Sequence, residues 1–215
     1  MMRISVCIRH VESCDIRSSA CALPFGDSEI KRLLSIKDTD SAARSLCALE
    51  ALSTLLSDEH IDKIPSIIRD RDKKPRFSPE TTFDFNLSHS GELAAAALCS
   101  GGNVGIDLEF LRDETDHARI ARRFFGKDEI AELEHKGNTA EGFYRLWTRK
   151  EASAKLYGTG LSCTLGKDVC APFYKTFVIK SERAVAYMTV CAERAPDEIK
   201  LIYPTKEYKI YELQN

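Results

Sequence analysis

Residues 104–110 read Val-Gly-Ile-Asp-Leu-Glu-Phe, and residues 147–155 read Trp-Thr-Arg-Lys-Glu-Ala-Ser-Ala-Lys. In the first run Val104, Ile106, Leu108 and Phe110 alternate with Gly105, Asp107 and Glu109. A strand repeats every two residues, so the apolar set faces a core and both carboxylates share the opposite face. In the second run Trp147, Glu151 and Lys155 recur every four residues, which on a helix makes one slowly drifting stripe with Lys150 beside it. A third carboxylate and two ammonium groups can then face the first two acids. Such a set suits a hard divalent cation and phosphate oxygens, because magnesium takes carboxylate oxygens, keeps several waters and shares substrate phosphates. Each element also admits an ordinary reading. The two acids can be the solvent face of a half-exposed strand, Lys150, Glu151 and Lys155 a solvated helix face with i,i+4 pairs, and Trp147 packing at a helix edge.

Working outward, the turn Ser100-Gly101-Gly102-Asn103 divides the chain into an N-terminal lobe, residues 1–102, and a C-terminal lobe, residues 103–215. Before the turn, the first ten residues read as a strand with Ile4, Val6 and Ile8 inward. Helices are expected over Ser28–Leu34 and over Ser41–Ser57, with Ser41 as the cap. Residues 70–79 form a charged, proline-punctuated loop, and two strand-like runs, Phe83–Leu87 and Leu93–Cys99, are joined by a hairpin at Ser-His-Ser-Gly. After the turn, Asp116–Phe125 and Lys127–Glu134 read as helices broken at Gly126, and Asn138–Tyr157 as a long helix stopped at Gly158. The alternating runs 177–180, 184–192 and 199–203 predict a meander of antiparallel strands. The fold class is α/β of the α+β kind, each half a small antiparallel sheet packed with helices.

At 215 residues, 43% hydrophobic and 30% charged, the chain can bury a core. Its net charge of -2 argues against general nucleic-acid binding, which rests on neutralising many phosphates. Its longest apolar run falls far short of the roughly 20 residues of a membrane span, and its first residues lack a leader's apolar stretch, so no membrane is implied and the cytoplasm is the expected location. The eight cysteines are scattered without a Cys-x-x-Cys pair, which weakens both zinc and disulfide readings. In the first lobe, the Asn86–Gly91 bend could hold phosphate oxygens on its hydroxyls, imidazole and backbone N–H groups, or be plain turn residues with His89 at an exposed tip. Arg32, Arg44 and the 73–76 loop could bind terminal phosphates or be solvated charges.

Taken in order, KKPR, FNLSHSG, VGIDLEF, RRFFGKDE and FYRLWTRKEASAKLYGTGL resemble the 4'-phosphopantetheinyl transferases. The likeness is to their long single-chain class, which acts on carrier proteins of peptide and polyketide synthases in secondary metabolite biosynthesis. The resemblance spans residues 30–165 and is most specific in the Gly-Ile-Asp-x-Glu strand and the Trp-x-x-Lys-Glu-Ala-x-x-Lys helix. It implies two similar α/β lobes related by a pseudo-twofold, with coenzyme A between them, acting as a monomer. It further implies transfer of the phosphopantetheine arm to a serine of an apo acyl or peptidyl carrier protein, with release of 3',5'-bisphosphoadenosine.

Carried over residue by residue, the resemblance makes Asp107, Glu109 and Glu151 ligands of Mg2+ and puts Lys155 on the pyrophosphate. Lys150 becomes a phosphate or carrier contact, and Ser88, His89, Lys74 and Arg44 contact the coenzyme A phosphates, with Arg32 a looser match. Lys73 stands where the family pattern has glycine. Glu151, or a metal-bound water it orients, would take the serine proton, and Asp107 and Lys155 complete the catalytic set. The acceptor is expected at Arg119, Arg122, Arg123, Phe124 and Phe125. Two other readings compete: a non-catalytic coenzyme A or nucleotide-binding protein, and a magnesium-dependent phosphoanhydride hydrolase.

Overall fold

The structure is a computed structural model that describes residues 1–61, 63–69, 74–112, 116–203 and 207–213. It divides into two compact units, Met1–Val104 with Pro196–Thr205, and Gly105–Ala195 with Lys206–Asn215. In chain order the first unit holds β1 (Arg3–His10), α1 (Ile16–Ala22), α2 (Asp27–Leu34), α3 (Thr39–Asp58), β2 (Ile67–Ile68), β3 (Arg76–Phe77), β4 (Phe83–Ser90) and β5 (Leu93–Ser100). Next come β6 (Val104–Phe110), α4 (His117–Phe124), α5 (Lys127–His135), α6 (Ala140–Tyr157), a 3-10 turn at Leu161–Thr164, β7 (Phe173–Lys180), β8 (Val185–Ala192), β9 (Glu198–Ile202) and β10 (Lys209–Glu212). The mixed α+β class expected from the sequence is the class observed.

The first unit carries a sheet of order β4-β5-β1-β9. Strands β4, β5 and β1 are antiparallel neighbours, whereas β9 runs parallel to β1, with Ile4 opposite Ile199 and Val6 opposite Leu201. The run 199–203 therefore leaves the expected C-terminal meander and returns to the N-terminal sheet. Alternation specifies a half-buried strand but not its partner, so the sequence pattern could not assign it. Over this sheet lies α3, whose Leu49, Leu52, Leu55 and Leu56 pack in one cluster with Cys7, Phe85, Ala96 and Leu98.

Helix α3 begins two residues before its expected start, and Asp38, not Ser41, is its cap: the Asp38 carboxylate accepts the Ser41 N–H at 2.8 Å. Asp38→Ala is expected to lower the denaturant midpoint, since an orphan N–H of the first turn loses its acceptor. Helix α1 has no counterpart in the sequence reading, because its seven residues carry too few apolar repeats to signal a period.

The second unit has the sheet order β10-β7-β8-β6, with α6 packed on β8. Helices α4, α5 and α6 fall close to their expected spans, and α4 and α6 carry side-chain N-caps. Asp116 accepts the Arg119 N–H at 3.0 Å, and Thr139 accepts the Gly142 N–H at 3.0 Å. Gly158 closes α6 in the left-handed region at φ 64°, a conformation that costs glycine least. Around the N-terminal half of α6, Phe125, Phe143, Tyr144 and Leu146 form a core that Phe124 and Trp147 cover.

Candidate active site

Both faces of β6 are covered. Val104, Ile106 and Leu108 are fully buried on one, as the alternation requires. On the other, Gly105 lies against α6: a Cβ there would stand 2.1 Å from the Ala152 carbonyl oxygen and 2.7 Å from the Leu156 nitrogen. The acidic face is therefore a helix-packing face and not a solvent face. Glycine lets the strand and helix backbones meet closely enough for side chains on each to reach the other.

That approach puts Lys155, near the end of α6, onto Asp107: its Nζ donates to Asp107 Oδ1 at 2.7 Å, with the carboxylate only 4% exposed. Glu151, one turn earlier, is half-buried. Burial above all pushes its carboxyl up to about 7, the Asp107 charge adds to that rise, Lys155 opposes it, and Glu109 contributes a further push. Three carboxylates and one ammonium thus share one electrostatic site, and the second ammonium expected there, that of Lys150, is directed to Glu129 instead. A Glu151 titrating at about 7 is suited to exchange a proton near neutral pH.

The donor set is all oxygen and mutually repulsive, which is the chemistry a hard divalent cation relieves. Asp107, Glu109 and Glu151 are the residues that would hold it. Among the described residues no group of three His, Cys, Asp or Glu side chains is already arranged as a metal site, and Lys155 occupies one Asp107 oxygen.

Lys150 departs from its expected role. Its side chain is 0% exposed, donates to Glu129 Oε2 at 2.8 Å and to the Lys167 carbonyl at 2.5 Å, and lies over the Phe125 ring at 5.9 Å. Lying next to Glu151 on the helix, it points some 100° away around the axis, which takes it into the interior instead of toward a ligand. Trp147 packs edge-on to Phe124 at 5.3 Å and stacks on Phe143 at 5.7 Å, so this member of the stripe is core.

In the first unit, the strand β4 runs on through Ser90, and the hairpin turn is Gly91-Glu92, with φ 53° at Gly91. Glycine in the left-handed region at the first position of a two-residue loop is a tight hairpin signature. Ser88 and His89 are thus strand residues and not part of a phosphate-cradling bend: Ser88 is buried and His89 is exposed. Lys74 makes an ion pair with Asp84 and a 2.8 Å hydrogen bond to the Val104 carbonyl. Lys73 lies outside the described residues.

Arg44 is half-buried on α3, 3.2 Å from Ser41 Oγ. Arg32 and Arg69 grip the buried Glu29; burial pushes that carboxyl up, but the two guanidiniums outweigh it and hold it low. On α4, Arg119, Arg122 and Arg123 are exposed, while Phe125 is 2% exposed and belongs to the core, not to a docking surface.

Sequence reasoning missed Glu129, the partner of Lys150, and Asp84, the partner of Lys74. Only Glu129 carried a signal: it stands three residues after Gly126, and its Oε2 accepts the Gly126 N–H at 2.8 Å, as in a capping box.

Residues 103–201, which contain this whole carboxylate and lysine group, match the model of the 4'-phosphopantetheinyl transferase superfamily. Among the chain's relatives is the 4'-phosphopantetheinyl transferase AcpT of Escherichia coli O157:H7, 41% identical over 100 residues, which cover 46% of this chain and 51% of that protein. Another is the 4'-phosphopantetheinyl transferase ffp of Bacillus subtilis, 35% identical over 136 residues, 55% of this chain and 59% of that protein. The 4'-phosphopantetheinyl transferase HetI of a Nostoc species is 41% identical over 80 residues, 36% of this chain and 34% of that protein. The chain matches about half the length of the first of these relatives. No helix among the described residues is long and apolar enough to cross a membrane.

Proposed function

We propose that this protein transfers the 4'-phosphopantetheine group of coenzyme A to a serine of an apo carrier protein and releases 3',5'-bisphosphoadenosine. In this reading it is a cytoplasmic monomer of the long single-chain class. The observation that carries the reading is the group Asp107, Glu109, Glu151 and Lys155, held together by the packing of β6 on α6 within the span the superfamily model matches. Phosphoryl transfer of this kind depends on charge neutralisation and in-line positioning more than on a protein nucleophile.

Mg2+ bound by Asp107, Glu109 and Glu151 would supply charge neutralisation for the pyrophosphate. Lys155 offsets charge on the leaving side and orients Asp107. Glu151, directly or through a water it orients, accepts the proton of the attacking serine. In the first unit, Arg44 and His89 contact phosphates of coenzyme A in this reading. Arg119, Arg122 and Arg123 form a basic face for an acidic carrier.

Incubation with Mg2+, coenzyme A and a panel of apo carrier proteins, followed by intact mass measurement, tests the reading. One phosphopantetheinyl group should be gained by a carrier, and the gain should vanish on chelation. Consumption of coenzyme A without any carrier would point instead to a hydrolase, and binding without transfer to a non-catalytic coenzyme A protein. With an acidic carrier the rate should fall several-fold between 50 mM and 300 mM salt, as exposed arginines are screened; a flat salt profile would remove α4 from the docking surface.

A further inference from the structure

The buried ammonium of Lys150 lies at the meeting point of three segments. Glu129, only 4% exposed, holds it from the first turn of α5, and the same Oε2 caps Gly126. The Lys167 carbonyl holds it from the segment before β7. That segment is itself pinned to α5, because Asp168 Oδ1 accepts the Asp128 and Glu129 N–H groups, both at 3.0 Å. Gly126 permits the contact: a Cβ on it would stand 2.3 Å from the Asp168 backbone nitrogen. One further ion pair, Arg149 to Glu132 at 2.8 Å, joins α6 to α5 a residue away.

We propose that Lys150 is a positioning residue, whose clamp on Glu129 and Lys167 fixes the rotation of α6 so that Glu151 and Lys155 face Asp107. A buried ion pair is poor value as stabilisation alone, since well-packed apolar groups of the same volume do as well or better. What it supplies here is direction. Rotation of a helix by 20° about its axis moves a side-chain tip by about 2 Å, given the roughly 5–6 Å radius with side chains, and displacements near 1 Å can cost a hundredfold in rate. Three donors on one ammonium, facing fixed acceptors on two segments, oppose that rotation more stiffly than apolar packing does.

The proposal rests on the transferase reading for its kinetic arm only. Lys150→Met alone should lower Tm sharply, because Glu129 is left charged and buried. In the double variant Lys150→Met/Glu129→Gln the charge is gone and the amide oxygen can still cap Gly126, so Tm should recover to within a few degrees of the parent. Its kcat should nevertheless stay about 10- to 100-fold low, with KM for coenzyme A within twofold. Amide exchange over residues 147–156 should be at least tenfold faster. Recovery of Tm together with parental kcat and exchange would overturn the proposal and leave the clamp a matter of stability. Should the double variant fold poorly, Lys150→Leu/Glu129→Gln carries the same comparison with a different apolar filling of the site. If the unaltered protein modifies no carrier, the transferase reading fails, and unchanged exchange over 147–156 rejects the clamp independently.

Discussion

Glu151→Gln is expected to do two opposite things: to lower transfer by two to three orders of magnitude and to stabilise the protein at pH 8. The kinetic loss follows from removing the group proposed to take the serine proton, where general-base contributions are about 100- to 10,000-fold. The stability gain follows from linkage. Glu151 titrates at about 7 in the folded chain against an ordinary 4.5, so between those values the folded state holds the proton more tightly than the unfolded one. Stability from this group is fully present below pH 4.5 and is lost as pH rises through about 7. At 1.36 kcal/mol per unit the loss is on the order of 1–3 kcal/mol, and a neutral glutamine does not suffer it.

Denaturant unfolding in a chelating buffer, so that no cation offsets the repulsion, provides the check. The variant should exceed the parent by about 1–3 kcal/mol at pH 8 and by little at pH 5. Equal gains at both values would mean that Glu151 is not held among like charges. Asp107→Ala should likewise abolish transfer in a folded protein. A near-normal rate in that variant would remove the metal and phosphate assignment altogether. A site that stores repulsion in the resting protein and releases it on binding is a familiar compromise between stability and function.

The parts of this site that were legible in the sequence are those governed by short periods. Alternation over 104–110 put Asp107 and Glu109 on one face, and four-residue spacing put Glu151 and Lys155 on one stripe. Both relations depend only on the geometry of a single element. What was not legible depends on which face a neighbouring element covers. Lys150 read as a companion of Glu151, but a step of 100° along the helix sends it to Glu129, and nothing local says which direction is interior. Lys74 read as a phosphate lysine, but its partner Asp84 is ten residues away on a strand whose polar face is buried. The extension of β4 to Ser90 was hidden because hydroxyl and imidazole side chains are equally at home in a turn, and only the left-handed φ of Gly91 marks where the turn sits. The return of β9 to the first sheet was hidden for the reason that strand pairing is non-local.

Gly105→Ala is the substitution expected to damage the fold most for the smallest chemical change. The added methyl would meet the Ala152 carbonyl oxygen at 2.1 Å, the Leu156 nitrogen at 2.7 Å and the Leu156 Cα at 3.0 Å. All three are backbone atoms of a helix anchored by hydrogen bonds and packing, so no rotamer can yield. Relief requires α6 to move off β6 by 1 Å or more. Overpacking of this kind costs about 1–3 kcal/mol and occasionally more; with so many fixed contacts the upper end is expected, a Tm loss of roughly 6–12 °C for a chain of this size.

The same displacement separates Lys155 from Asp107, now 2.7 Å apart, so activity should fall more than the folded fraction does. Gly102→Ala is the matching control: its methyl would meet only the flexible end of the Met2 side chain, Cε at 2.9 Å and Sδ at 3.2 Å, which can swing away. That variant should keep its Tm within a few degrees and its rate within twofold. If Gly105→Ala behaved like the control, β6 and α6 would not be in the contact that brings the carboxylates and Lys155 together, and the site would need a different architecture.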